Sequence, residues 1–113
     1  MTAKNLAERL KKISCFYDAE SAKKLKLDKD TLITPVTPYK NQVRFKVFEF
    51  DKLIDSSNIQ LEDQIAIAQV IGQNYNQYDG FIVVHGTDTM AYSSSLLSFM
   101  LENLNKTVVL TGS

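Results

Sequence analysis

Leu6, Leu10 and Ile13 recur at helical spacing, so the chain opens with a short amphipathic helix. Asp18 stands where an N-cap belongs, ahead of a second helical run over residues 19–27. Residues 28–42 hold both prolines, Pro35 and Pro38, and predict an irregular connection. Over residues 43–50, Val43, Phe45 and Val47 alternate with Arg44 and Lys46, the pattern of a strand with one face partly wet. Turn formers at residues 53–58 break that strand. From Leu61 onward a helical face comprises Leu61, Ile65, Ala68, Ile71 and Tyr75, and Asn74, Asn76, Asp79 and Gly80 mark where it stops.

The second half has the stronger pattern. Phe81, Ile82, Val83 and Val84 form an uninterrupted apolar run, which predicts a strand covered on both faces, as in a parallel sheet. A helix follows, with Leu96, Met100 and Leu104 on one face, Leu97 and Leu101 beside it, and Asn105 as a left-handed stop. Residues 107–113 predict another buried strand. The order strand, helix, strand, helix, strand implies an α/β fold of the three-layer type, a parallel sheet with flanking helices.

Composition narrows the setting. A chain of 113 residues makes at most one domain. Thirteen basic and thirteen acidic residues cancel, which gives no electrostatic surface for nucleic acid or an anionic membrane. Lys11, Lys12, Lys23, Lys24 and Lys26 are interrupted by Asp18 and Glu20, the pattern of a solvated helix face. Cys15 is the single cysteine and has no partner for an internal disulfide, which favours a reducing compartment. No apolar run reaches the length of a membrane span, and residues 1–13 lack the apolar core of a signal peptide, so a cytoplasmic location is expected.

Ligands of open α/β sheets bind beyond the carboxyl ends of the strands, beside helix N-termini. Three polar turns fall in such places: Asp55-Ser56-Ser57, residues 85–89 (His-Gly-Thr-Asp-Thr), and Thr111-Gly112-Ser113. Free N–H groups and partial positive charge at a helix N-terminus suit a carboxylate or an oxyanion. Ser56, Ser57 and Thr87 offer hydroxyl donors, Asp88 suits an ammonium group or a proton, and Gly86 lets a ligand approach the backbone. Each residue also has a plain structural reading. From the residues alone, Thr87 or Asp88 fits an N-cap for the helix that begins near Thr89 better than a catalytic group, and Asp55-Ser56-Ser57 serves equally as a polar turn. His85, the only histidine, fits a packed, hydrogen-bonded role better than that of a general base. Ser93, Ser94 and Ser95 fit helix surface and close packing. One His and one Cys make no metal site, and the four glycines are not spaced as a phosphate-binding loop.

The whole string from Asp79 to Ser113, DGFIVVHGTDTMAYSSSLLSFMLENLNKTVVLTGS, closely resembles the second signature of the L-asparaginase family, His-Gly-Thr-Asp-Thr-Met, with its flanking elements. The upstream DSSN at residues 55–58 and YDGF at residues 78–81 are also similar to that family, and LSFMLENL at residues 97–104 to its cytoplasmic type I branch. The segment from LAERL to EDQ is similar to eukaryotic members of the branch. The resemblance implies hydrolysis of L-asparagine to L-aspartate and ammonia through a threonine nucleophile and an acyl-enzyme, with no metal or organic cofactor. It implies a proton-relay or water-activating role for Thr87. Asp88 would join that relay and hold the substrate α-ammonium, and Ser56, with Ser57 beside it, would bind the α-carboxylate.

The resemblance also implies what residues 1–113 do not hold. The Thr-Gly-Gly-Thr-type segment with the nucleophile would precede Met1, and the relay lysine and a smaller C-terminal domain would follow Ser113. Residues 1–113 are then a partial N-terminal domain, expected to be inactive alone and part of a homo-oligomer in intact form. An uncovered sheet edge would make the chain by itself associate. Asn58 stands where type I relatives usually have aspartate, a change of charge beside the substrate loop. The alternative is a noncatalytic remnant that binds an amino acid or pairs with a full-length relative.

Overall fold

The computed structural model describes residues 5–51, 56–103 and 105–112. They fall into two compact units, residues 1–53 and 54–113.

In the first unit, helix α1 (Leu6–Leu10) is shorter than the apolar spacing predicts, and Ile13 lies outside it, half exposed. The amides of Asn5 and Leu6 donate to the Glu49 carboxylate at 3.1 and 2.8 Å, satisfying two of the N–H groups that a helix leaves open at its start. Helix α2 (Ala19–Lys24) begins at Asp18, whose carboxylate accepts from the amides of Glu20 and Ser21, as its N-cap reading requires. The Ser21 hydroxyl also donates to it, at 2.8 Å.

Residues 28–42 are not simply an irregular connection. They contain β1 (Thr31–Ile33), which pairs antiparallel with β2 (Arg44–Lys46), Leu32 facing Phe45. Leu32 and Ile33 are fully buried, but three residues are too few to show a periodicity. The strand expected over residues 43–50 is cut to three residues, because Val43, Phe48 and Phe50 are exposed. Its partner is β1, so it is no member of the parallel sheet. Pro35 and Pro38 lie in the hairpin loop, closed by Thr34 N–H to Val43 O at 2.9 Å and Thr37 N–H to Asn41 O at 2.8 Å.

The second unit is α/β. Strand β3 (Gly80–His85) pairs in parallel with β4 (Thr107–Gly112), from Gly80 opposite Thr107 to His85 opposite Gly112. Helices α3 (Leu61–Asn74) and α4 (Met90–Met100) pack together. Ile67, Ile71 and Leu97 form the core, with Phe81, Val83, Val108 and Leu110 of the sheet against it. Each such buried aliphatic side chain contributes roughly 1.5–3 kcal/mol relative to exposure. The alternation along both strands leaves the opposite sheet face open: Ile82 is 73% and Val84 76% exposed. The uninterrupted apolar run of β3 is thus not covered on both faces.

The helix faces read in the sequence are met in part: Ala68 and Ile71 of α3, and Leu97 and Leu101 beside the main face read for α4, pack in or against the core. The inward face of α3 is Gln64, Ile67 and Ile71, while Leu61 is exposed. That of α4 is Ser93 and Leu97, with Leu101 just beyond, and Met100 is on the outside. In each helix a polar residue holds an inward position that apolar periodicity assigns to the surface. The left-handed residue after α4 is Asn103 (φ 64°), not Asn105. Leu104 and Ser113 lie outside the described residues.

Candidate active site

Thr87 and Asp88 sit in the short turn between His85, the last residue of β3, and Met90, the first of α4. The position capping α4 is Thr89, which makes no side-chain capping bond, so neither Thr87 nor Asp88 occupies the N-cap itself. Met90 N–H reaches Thr87 O at 3.4 Å, and Ser93 N–H reaches Thr89 O at 3.0 Å, which winds the turn into the helix. Thr87 and Asp88 are both exposed, at the carboxyl end of a parallel strand and ahead of a helix N-terminus. An anionic or polar ligand at that edge would meet the positive end of α4.

Beneath the turn runs a buried polar chain. His85 Nδ1 lies 2.6 Å from Gly86 O, and His85 Nε2 lies 2.9 Å from Ser93 Oγ. A carbonyl only accepts, so Nδ1 carries the proton and Nε2 accepts from the Ser93 hydroxyl. Ser93 Oγ in turn accepts from Gln64 Nε2 at 3.0 Å. His85, Ser93 and Gln64 are all buried, and among the described residues no buried side-chain nitrogen or oxygen lacks a partner. His85 is therefore the packed, hydrogen-bonded residue that its position at a strand end suggests.

Gly112 closes the turn from the other side. A Cβ there would stand 2.8 Å from His85 O, 3.0 Å from Thr87 Cγ2 and 3.4 Å from Met90 Sδ. Only glycine lets the end of β4 lie this close to the turn.

Ser56 and Ser57 open a 3-10 turn, Ser56–Asn58. Ser57 is exposed, and Asp55 lies outside the described residues. Gln60 N–H donates to the Asp63 carboxylate at 2.8 Å to start α3, and Ile59 packs on the core. Because Gln64, in the first turns of α3, bonds Ser93 of α4 and through it His85, both helices begin at the carboxyl end of β3. The Ser56–Asn58 turn is separated by two residues from Leu61, the first residue of α3. Of this edge, Gly112 was among the candidate polar turns and Ser93 was read as helix surface and close packing, whereas Gln64 and the hydrogen bonds joining it to Ser93 and His85 were missed. The one signal available was that Gln64, Ile67 and Ile71 also have helical spacing.

The family profile described as Asparaginase, N-terminal matches residues 11–113. The chain is 46% identical over 107 residues to the human 60 kDa lysophospholipase, covering 95% of this chain and 19% of that relative. It is 55% identical over 69 residues to L-asparaginase 1 of Escherichia coli (strain K12), covering 61% of this chain and 20% of the other. The crystal structure of L-asparaginase I from Vibrio cholerae superposes with a TM-score of 0.59 at 55% identity, over 61% of this chain and 21% of that one. An α/β unit with a parallel sheet, carrying a His-Gly-Thr-Asp-Thr turn at its strand ends and matched along nearly all its length, defines the class: this chain belongs to the asparaginase family, within its N-terminal domain. It spans about a fifth of the length of these relatives. Among the described residues no helix is long and apolar enough to cross a membrane.

Proposed function

We propose that these residues supply one half of the active site of an asparaginase-type amidohydrolase, which converts L-asparagine and water to L-aspartate and ammonia. The single observation behind this reading is the exposed Thr87–Asp88 pair at the carboxyl end of β3, within a segment that matches the asparaginase family. In this reading the threonine nucleophile and the relay lysine come from parts of the polypeptide outside residues 1–113. The Thr87 hydroxyl passes a proton to or from the attacking water, and the Asp88 carboxylate holds the α-ammonium. Ser56 donates to the α-carboxylate, with Ser57 beside it. Two charge-matched contacts at the α-carbon select an α-amino acid over a simple amide. The reaction needs neither metal nor organic cofactor.

The experiment is ammonia release from L-asparagine by the whole polypeptide carrying these residues, with Thr87→Val and Asp88→Asn beside it. Each variant is expected to lower kcat/KM by about 100-fold or more, the scale of losing one polar group that acts on the reacting centre. A wild type that binds aspartate by calorimetry without releasing ammonia would favour the noncatalytic remnant instead. Neither binding nor turnover would overturn both.

A second reading has one observation in its favour, the name lysophospholipase borne by the human relative that matches 95% of this chain. Acyl-enzyme chemistry serves an ester as well as an amide. Fatty-acid release from lysophosphatidylcholine that is lost in Thr87→Val, with asparagine untouched, would select it.

A further inference from the structure

We infer that Gln64 and Ser93, acting through His85, are positioning residues for the Thr87–Asp88 turn. The three side chains form one directional series: the Gln64 amide donates to Ser93, the Ser93 hydroxyl to His85 Nε2, and His85 Nδ1–H to Gly86 O. They come from α3, α4 and the end of β3, so the series reports the docking of all three elements to a single carbonyl.

That carbonyl matters because of where it stands. The peptide between Gly86 and Thr87 is planar and trans, so holding Gly86 O fixes the direction of the Thr87 N–H, which points the opposite way, away from the imidazole. The rigid unit that carries Thr87 into the site is thereby set before any ligand arrives. Gly112 bounds the same unit on its far side, with no room for a side chain between it and His85 O.

Apolar side chains of similar size would fill the same space without needing partners. A buried polar series is tolerated only when every member is satisfied, and these three members are. What the series adds over apolar packing is orientation.

The activity arm of the test rests on the amidohydrolase reading, whereas the spectroscopic arm does not. In the whole polypeptide, nitrogen-15 NMR of the His85 ring, assigned with His85→Asn, is expected to show a protonated Nδ1 and a bare Nε2. Ser93→Ala should release that tautomer and shift the amide signals of Gly86, Thr87 and Asp88, leaving those of the first unit in place. Ser93→Ala and His85→Ala should each lower kcat/KM for asparagine about tenfold, the scale of a small misplacement of reacting groups. His85→Asn should recover to within about threefold of wild type, because the asparagine amide restores the donor to Gly86 O. The pH profile of His85→Asn should match that of the wild type.

A ring protonated on Nε2 would overturn the inference. So would unchanged turn amides in a folded Ser93→Ala protein, or a His85→Asn variant as impaired as His85→Ala. If the wild type does not hydrolyse asparagine, the amidohydrolase reading falls while the ring tautomer and turn amides still decide this one.

Discussion

Gly112 and Thr87 approach so closely that a Cβ on the glycine would stand 3.0 Å from the threonine methyl carbon. The same Cβ would press at 2.8 Å against the His85 carbonyl oxygen, a backbone atom that cannot swing aside. Gly112→Ala is therefore expected to cost about 1–3 kcal/mol and to move the turn, as overpacking does. Urea unfolding measures the first effect. A variant as stable as wild type, with unshifted Thr87 amide signals, would show that β4 yields more readily than its geometry implies.

Leu97 and Ile71 are the deepest apolar side chains of the second unit. Leu97→Ala or Ile71→Ala should remove about 2–5 kcal/mol, the lost transfer energy plus the cavity left behind. A loss of that size is a large part of the stability of a small domain. Thermal unfolding followed by circular dichroism would record it as a lower midpoint. A change within error would place these residues outside the cooperative core.

Acid should weaken the first unit through two aspartates. Asp28 is held below the usual carboxylate range by the Thr31 hydroxyl and then by Lys46, and Asp18 by the Ser21 hydroxyl and amide. A depressed folded value means stability that is complete above the unfolded value, near ~3.9, and lost as pH falls through the folded one. Asp28→Asn should thus be less stable at neutral pH and show a flatter response to acid. Equal acid sensitivity in variant and wild type would assign the effect to other groups.

The open sheet face, with Ile82 and Val84 about three-quarters exposed, should make residues 1–113 self-associate when produced alone. Ile82→Thr with Val84→Thr keeps β-branching, and so strand propensity, while making that face polar. Sedimentation velocity should show association in the wild type and less in the double variant. A monomeric wild type would dispose of the idea.

The parallel β3–α4–β4 unit was readable because long apolar runs and a helical repeat agree with each other over residues 80–112. The turn was readable for a different reason, as five small or polar residues at an abrupt end of an apolar strand. In the first unit the two helices and the Asp18 cap were readable, but β1 and its pairing with β2 were not, since each strand has three residues and the pairing depends on a hairpin that no periodicity announces. Gln64, and the hydrogen bonds of Ser93, escaped for a further reason. Pattern reasoning assigns polar residues outward, and both point inward because each finds its partner on another element. The placement of Gly112 depends on a close approach that only coordinates reveal.

Far from the turn, Lys106 lies 4.6 Å above the Tyr75 ring and donates to the Tyr75 carbonyl, while Asn105 N–H donates to the Tyr75 hydroxyl at 3.1 Å. Helix α3 is therefore clasped at its C-cap, Tyr75, by the residues just before β4, and near its first turn by Ser93. Apolar contacts oppose sliding of the helix through close packing, and directional hydrogen bonds add a register of their own. A shift of α3 by a single helical turn, roughly 5.4 Å, would sever both clasps together. Lys106 and Tyr75 thus act as the far end of a ruler, and where the Thr87 edge comes to rest is measured partly from the opposite end of the unit.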